Sequence, residues 1–274
     1  MESGMKYRTI FLLIIAIIVT ASVSVAADKG ETNVVADHGV DIFTDYDFDY
    51  DLGFLWLDKV AVANFKLQES NTPDVYIASL SAKTVGLAAK LTGNRQQRYV
   101  SMMQLLPDGS FRSMRYTSQV IKNGVERTKV YLFDYDRKRE LNDQYFKNKK
   151  HIFKDDKIIE IEGEKIPADV LTTYFNLVAG AYGPMEVGAH YEIPAFNKKG
   201  IGTIQIDFLP PDQRPKKHFF GEDLLMCKVR VDQEVFDTND GVIYIGYNEK
   251  RRPDRGVVTD IIGMGDAICS QISP

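Results

Sequence analysis

The chain has 274 residues, 44% of them hydrophobic and 26% charged, and a formal net charge of −4. That length and apolar content are enough for one large domain with its own core. An acidic chain lacks the basic surface that nucleic-acid binding requires, so nucleic acid is not an expected partner.

The N-terminus reads as an export signal. Lys6 and Arg8 precede the apolar run Ile10 to Val19, and Val25, Ala26 and Ala27 supply the small residues a signal peptidase needs. Residues 1–27 are predicted to be a signal peptide cleaved after Ala26 or Ala27. The apolar run is shorter than the ~20 residues that span a bilayer, so no stable membrane span is expected after its removal. No cysteine follows the run, which argues against lipoprotein processing. Removal of Glu2, Lys6 and Arg8 leaves a processed chain with a net charge near −5. The expected address is a bacterial periplasm or the cell exterior. Residues 28–45 read as an acidic flexible tether, and residues 46–274 as a single β-rich domain.

From Tyr46 the chain alternates. Tyr46, Phe48, Tyr50 and Leu52 fall on one face and Asp45, Asp47, Asp49 and Asp51 on the other, the period of a half-buried strand. A calcium loop of the EF-hand type fails here, because the turn glycine would fall at Tyr50 and the bidentate glutamate at Trp56. Strands are predicted at Val60 to Leu67 and Val75 to Ser81, with a turn at Asn71 to Asp74. Residues 83–91 fit either a short helix or a strand. Tyr99 to Leu106 and Phe111 to Ile121 read as strands around Pro107-Asp108-Gly109. Asn123-Gly124 marks a hairpin into Glu126 to Tyr135. The charged stretch 136–157 reads as a solvated loop.

The clearest helix lies between Pro167 and Pro184. Val170, Leu171, Tyr174, Phe175, Leu177 and Val178 share one broad face, Asp169 can cap the start, and Gly180, Gly183 and Pro184 supply the stop. After it, strands are predicted at His190 to Phe196, Gly202 to Phe208, Leu224 to Phe236 and Val242 to Tyr247. One or more closing strands occupy Val257 to Ile272. Leu209 to Gly221, with three prolines, and the segment Asn248 to Gly256 read as loops.

No catalytic constellation stands out. His38, His151, His190 and His218 are scattered, with no metal-ligand spacing, so neither metal nor cofactor is expected. There is no nucleophile elbow, phosphate loop or dinucleotide fingerprint. Cys227 and Cys269 fit either a disulfide formed in an oxidising compartment or two buried thiols. Apolar residues on the strands and the helix remain. Phe54, Trp56, Phe65, Tyr174 and Phe175 are candidates to line the space between sheet and helix, either as core or as the wall of a hydrophobic site. Arg251 and Arg252 read as a solvated turn, or as a rim for an anionic head group.

A family resemblance rests on ordered motifs: Tyr50-Asp51-Leu52-Gly53 with VAVANFKL, then GSFRSMRYTSQVIKNGVERTKVYLFD, ADVLTTYF, GPMEVGAHYEIPAF and NEKRRP. Together they resemble an exported bacterial family known as domain of unknown function 3108, over roughly residues 46–272. Ser113-Met114 departs from a common proline, and no arginine follows the helix motif at Asn176 or Leu177. The resemblance implies one β-rich domain and brings no catalytic residues. Its fold is similar by analogy to the lipoprotein-carrier half-barrels, which hold acyl chains.

The expected fold is mainly β, a curved antiparallel sheet, half-barrel-like, packed on one principal α-helix. The expected function is non-enzymatic binding of a hydrophobic or lipid-like ligand or an envelope component. The alternatives are an envelope interaction protein working through protein contacts and, behind it, an unrecognised hydrolase.

Overall fold

The computed structural model describes residues 43–136, 139–147, 150–152, 157–160, 167–197, 200–215, 217–230, 241–260 and 265–272. Among these, fifteen strands form one antiparallel sheet. The first half is a meander: β1 (Asp47–Phe54), β2 (Leu57–Glu69), β3 (Val75–Thr84), β4 (Gln96–Leu105), β5 (Phe111–Lys122), β6 (Val125–Asp134), β7 (Arg139–Lys147) and β8 (Lys150–Ile152). β9 (Lys157–Glu160) adds to β7. A second meander runs β10 (His190–Asn197), β11 (Gly200–Phe208), β12 (Leu225–Arg230), β13 (Val242–Tyr247), β14 (Pro253–Val258) and β15 (Ala267–Gln271). β15 pairs with β1, joining the two meanders in the middle of the sheet. β8 and β10 are its two ends, so the sheet is not closed.

Among the described residues three α-helices interrupt the strands: α1 (Gly86–Thr92), α2 (Val170–Ala179) and α3 (Lys217–Phe220). α2 lies between the two meanders and is swallowed by the curve of the sheet. All of Leu171 to Val178 is buried, including Thr172, Thr173 and Asn176. A single apolar face was expected; α2 packs against β3, β4, β5 and β10, and its polar positions are buried too and need partners. Asn176 supplies one, accepting from the Phe111 amide and donating to the Phe111 carbonyl. Near the sheet ends, Phe133 of β6 and Phe196 of β10 meet at 5.1 Å.

Most of the expected elements stand. α2 starts at the Asp169 cap and stops at Gly180, which takes φ 81°. Asn123 and Gly124 both hold positive φ, as the tightest hairpin turn demands. The ambiguous 83–91 segment resolves into the end of β3 and α1. Residues 136–157 differ from expectation: they hold β7, β8 and the start of β9 where a loop was read. Asn248 to Gly256 is turn only to Arg252, and β14 starts at Pro253. The far half of the predicted strand 224–236 lies outside the described residues. No helix among the described residues is long and apolar enough to cross a membrane.

Candidate functional site

Four of the five proposed lining residues belong to the interior. Phe65, Tyr174 and Phe175 are fully buried, and Phe54 nearly so. Their rings touch one another: Phe65–Tyr174 at 5.0 Å, Phe65–Phe175 at 5.4 Å and Tyr174–Phe175 at 5.2 Å. Phe43 and Tyr46 close the remaining side of Phe175 at 5.4 and 5.2 Å. Such edge-on and tilted pairs are the favoured aromatic contacts, so these rings form core between sheet and helix. Tyr46 and Tyr174 share a 2.5 Å hydroxyl–hydroxyl hydrogen bond inside this cluster, and burial pushes both phenols up.

At the start of α2 the interior turns polar. Asp169 is 2% exposed. Its Oδ1 accepts from the amides of Leu171 and Thr172. Its Oδ2 accepts from the hydroxyls of Ser101 (2.7 Å), Ser113 (2.6 Å) and Thr172 (2.7 Å), and its own amide donates to Ser113 Oγ. Burial raises its pKa, and the hydrogen bonds of Ser113, Ser101 and Thr172 pull the other way. Sequence reading identified the cap; it missed Ser101 and Ser113, which reach it from β4 and β5. Every oxygen of this cage faces protein, so the carboxylate organises the helix start and meets no cleft.

Cys227 and Cys269 are both buried free thiols. Cys227 aligns with Ile245, Ile245 with Gly256, and Gly256 with Cys269. They therefore sit on one rung three strands apart, roughly 14 Å along the sheet, whereas a disulfide spans about 6 Å between Cα atoms. Burial pushes the Cys227 thiol up to about 12 and Cys269 up as well. The folded protein is expected to leave both unlabelled by a maleimide and to expose both in denaturant; fast labelling of either in the native state would contradict this placement.

The outer face of β1 to β5 carries a groove of about 650 Å³. One rung of outward residues crosses it: Asp49, Asn64, Ser81, Arg98 and Gln119. On β1 the acids are satisfied across the strand pair. Lys66 reaches Asp47 and Lys59 reaches Asp51, each at 2.6 Å, and Asn64 donates to Asp47 and Asp49. Lys83 and Arg98, on the adjoining strands, are exposed.

The remaining lining candidate, Trp56, is outside. Phe54 pairs with Leu57, so Leu55 and Trp56 form the tip of the β1–β2 hairpin, and a register shift between Leu52 and Phe54 breaks the alternation just before it. Leu55 takes φ 56°, a left-handed backbone that favours glycine and strains a leucine. Beside this tip, the Val85 amide donates to the Val60 carbonyl and α1 begins. Leu87 and Leu91 lie one turn apart on α1 and face solvent, while Ala88 packs toward the core. The exposures are 81% for Trp56, 47% for Leu55, 38% for Leu57, 63% for Leu87 and 69% for Leu91. The spacing of Leu87 and Leu91 was the available sequence signal for this apolar end.

At the opposite end of the sheet, the Arg252 guanidinium lies 4.9 Å from the Phe48 ring and donates to the Thr44 carbonyl. Arg251 holds a positive φ in the turn before it. Arg252 thus ties the N-terminal segment down. His190 pairs with Asp207 on the outer surface. Among the described residues no group of three or more His, Cys, Asp or Glu is placed to hold a metal ion.

These features define an open antiparallel sheet wrapped on a buried helix, with an apolar end exposed. Residues 45–259 match the family described as Protein of unknown function (DUF3108), and the chain belongs to that family. Neither the curated proteins nor the solved structures hold a match to it.

Proposed function

We propose that this is an exported, non-enzymatic binding protein that holds an apolar component of the cell envelope against one end of its sheet. The observation that carries the reading is the concentration of Leu55, Trp56, Leu57, Leu87 and Leu91 on one hairpin tip and the neighbouring helix. Large apolar side chains exposed together mark a contact surface, whereas singly scattered ones carry no such meaning. The full burial and mutual ring contacts of Phe65, Tyr174 and Phe175 favour this end over the interior for the expected hydrophobic binding. The sheet ends are weaker contact surfaces. β8 has three residues, and β10 carries Pro194 and is partly covered by the bridge from Ala168 to Ala195.

The test has two readouts. The protein recovered after export begins at Ala27 or Asp28, and it is retained by immobilised envelope material under native conditions. The double variant Leu87→Asp/Leu91→Asp, folded by circular dichroism, loses that retention. Equal retention of the double variant overturns the reading, as does an intact N-terminus in the cytoplasm.

A further inference from the structure

We infer that the apolar end docks the protein onto an anionic lipid bilayer. This inference rests on the proposed binding role of that end and names its partner. Three observations carry it together.

The apolar groups are presented as tips rather than as a flat patch. Trp56 and Leu55 crown a two-residue turn, and Leu87 and Leu91 stand on the outer side of a seven-residue helix. Narrow projections of tryptophan and leucine suit the boundary between head groups and acyl chains, where an indole keeps its N–H in the polar layer and its ring in the apolar one. A rigid protein partner would need a deep matching groove for each projection.

Cations stand just behind the tips. Lys83 is three residues before Gly86, where α1 begins, and Arg98 is two residues into β4 from Gln96, where the chain re-enters the sheet after α1. Ser81 pairs with Arg98 and Lys83 with Gln96, so the two cations lie diagonally on one outward face. At about 3.4 Å per residue they fall one head-group layer, roughly 7–10 Å, behind the helix. Lys90, in the last turn of α1, adds a third cation. Of the nearby acids, Asp51 is engaged by Lys59 and Asp47 by Lys66, while Asp58, two residues from Trp56 on β2, is exposed. Around α1, Lys83, Lys90 and Arg98 outnumber the exposed Asp58 and so offer net positive charge to phosphate head groups, although the chain as a whole is acidic.

The tip holds a leucine at φ 56°, where glycine would be unstrained. The two-residue turn demands that backbone, and leucine in place of glycine sets a half-exposed apolar side chain at the tip.

The chain contains one tryptophan, so Trp56 is its own reporter. The experiment mixes the exported, purified protein with vesicles of phosphatidylcholine and phosphatidylglycerol, and separately with phosphatidylcholine alone. With anionic vesicles the Trp56 emission is expected to shift to the blue and to become protected from iodide. Co-sedimentation is expected to weaken as salt is raised. Leu87→Asp/Leu91→Asp is expected to bind at least tenfold more weakly. Lys83→Gln and Arg98→Gln are each expected to weaken binding about fivefold. No spectral shift and no co-sedimentation overturns the inference. So does binding that leaves Trp56 exposed, or binding unchanged in the leucine variant, or a blue shift that grows with protein concentration without lipid, which would mark self-association. If vesicles fail while envelope material still retains the protein through Leu87 and Leu91, the binding role stands and only the bilayer is excluded.

Discussion

Replacing Phe175 with alanine is expected to remove about 3–5 kcal/mol of folding stability, enough to lower the midpoint of thermal unfolding by about 10 °C in a domain of this size. Phe175 has no exposed surface and touches the rings of Phe43, Tyr46, Phe65 and Tyr174. The truncation forfeits the burial of its ring and leaves a cavity that a helix packed against β3, β4, β5 and β10 cannot collapse into. Trp56→Ala gives the contrasting outcome. Its side chain lies in solvent, so the same measurement is expected to move by no more than about 0.5 kcal/mol. Chemical denaturation of the two variants in parallel checks the pair. A stable Phe175→Ala protein that takes up a hydrophobic dye more tightly than the parent would mean that the interior can open to a ligand, contrary to the core placement of these rings.

The second large effect is expected at Asp169. Alanine there leaves the Leu171 and Thr172 amides and the Ser101 and Ser113 hydroxyls without their acceptor, deep in the fold. A lost cap and orphaned buried donors together are worth about 3–4 kcal/mol. Asparagine keeps the Oδ1 acceptor, and the neighbouring hydroxyls can turn to accept from its amide, so Asp169→Asn is expected to lose only about 1 kcal/mol at neutral pH. The pH dependence has a defined sign. Burial raises the Asp169 pKa in the folded state, so the folded protein holds the proton more tightly than the unfolded chain does. The stabilisation from that proton is fully present below the ordinary carboxylate range and fades as pH rises through the raised value. Acidification through that window should therefore widen the advantage of the parent over Asp169→Asn. Urea unfolding at a series of pH values reads this directly, and a gap that narrows on acidification would show that the carboxylate is held ionised.

Several features were legible because the chemistry is local. The cap at Asp169, the stop at Gly180 and the turn at Asn123-Gly124 each lie within a few residues of the group they satisfy. The outward acids of β1 were equally plain from their period of two. The apolar end was not, because one residue of slip reverses a strand's faces. The alternation through Phe48, Tyr50 and Leu52 extrapolates Trp56 to the inside, while the register shift beyond Leu52 and the tip at Leu55 put it outside. β7 to β9 were hidden for a different reason: their charged sequence has no apolar period, and only pairing with β6 and β7 reveals them as strands. Ser101 and Ser113 were invisible as partners of Asp169, since 68 and 56 residues separate them from it and no short-range rule spans that distance.

The pairing of β15 with β1 gives the molecule a seam whose two sides come from opposite ends of the sequence. A ribosome delivers β1 long before β15, so the first meander waits with one edge unsatisfied until β15 arrives. Closing that seam fixes a loop of about 200 residues, the slowest kind of contact to form. Premature termination before Ala267 would leave β1 and β14 with open ladders, the edges through which chains add to one another. β15 thus hides two edges at once, that of β1 and that of β14.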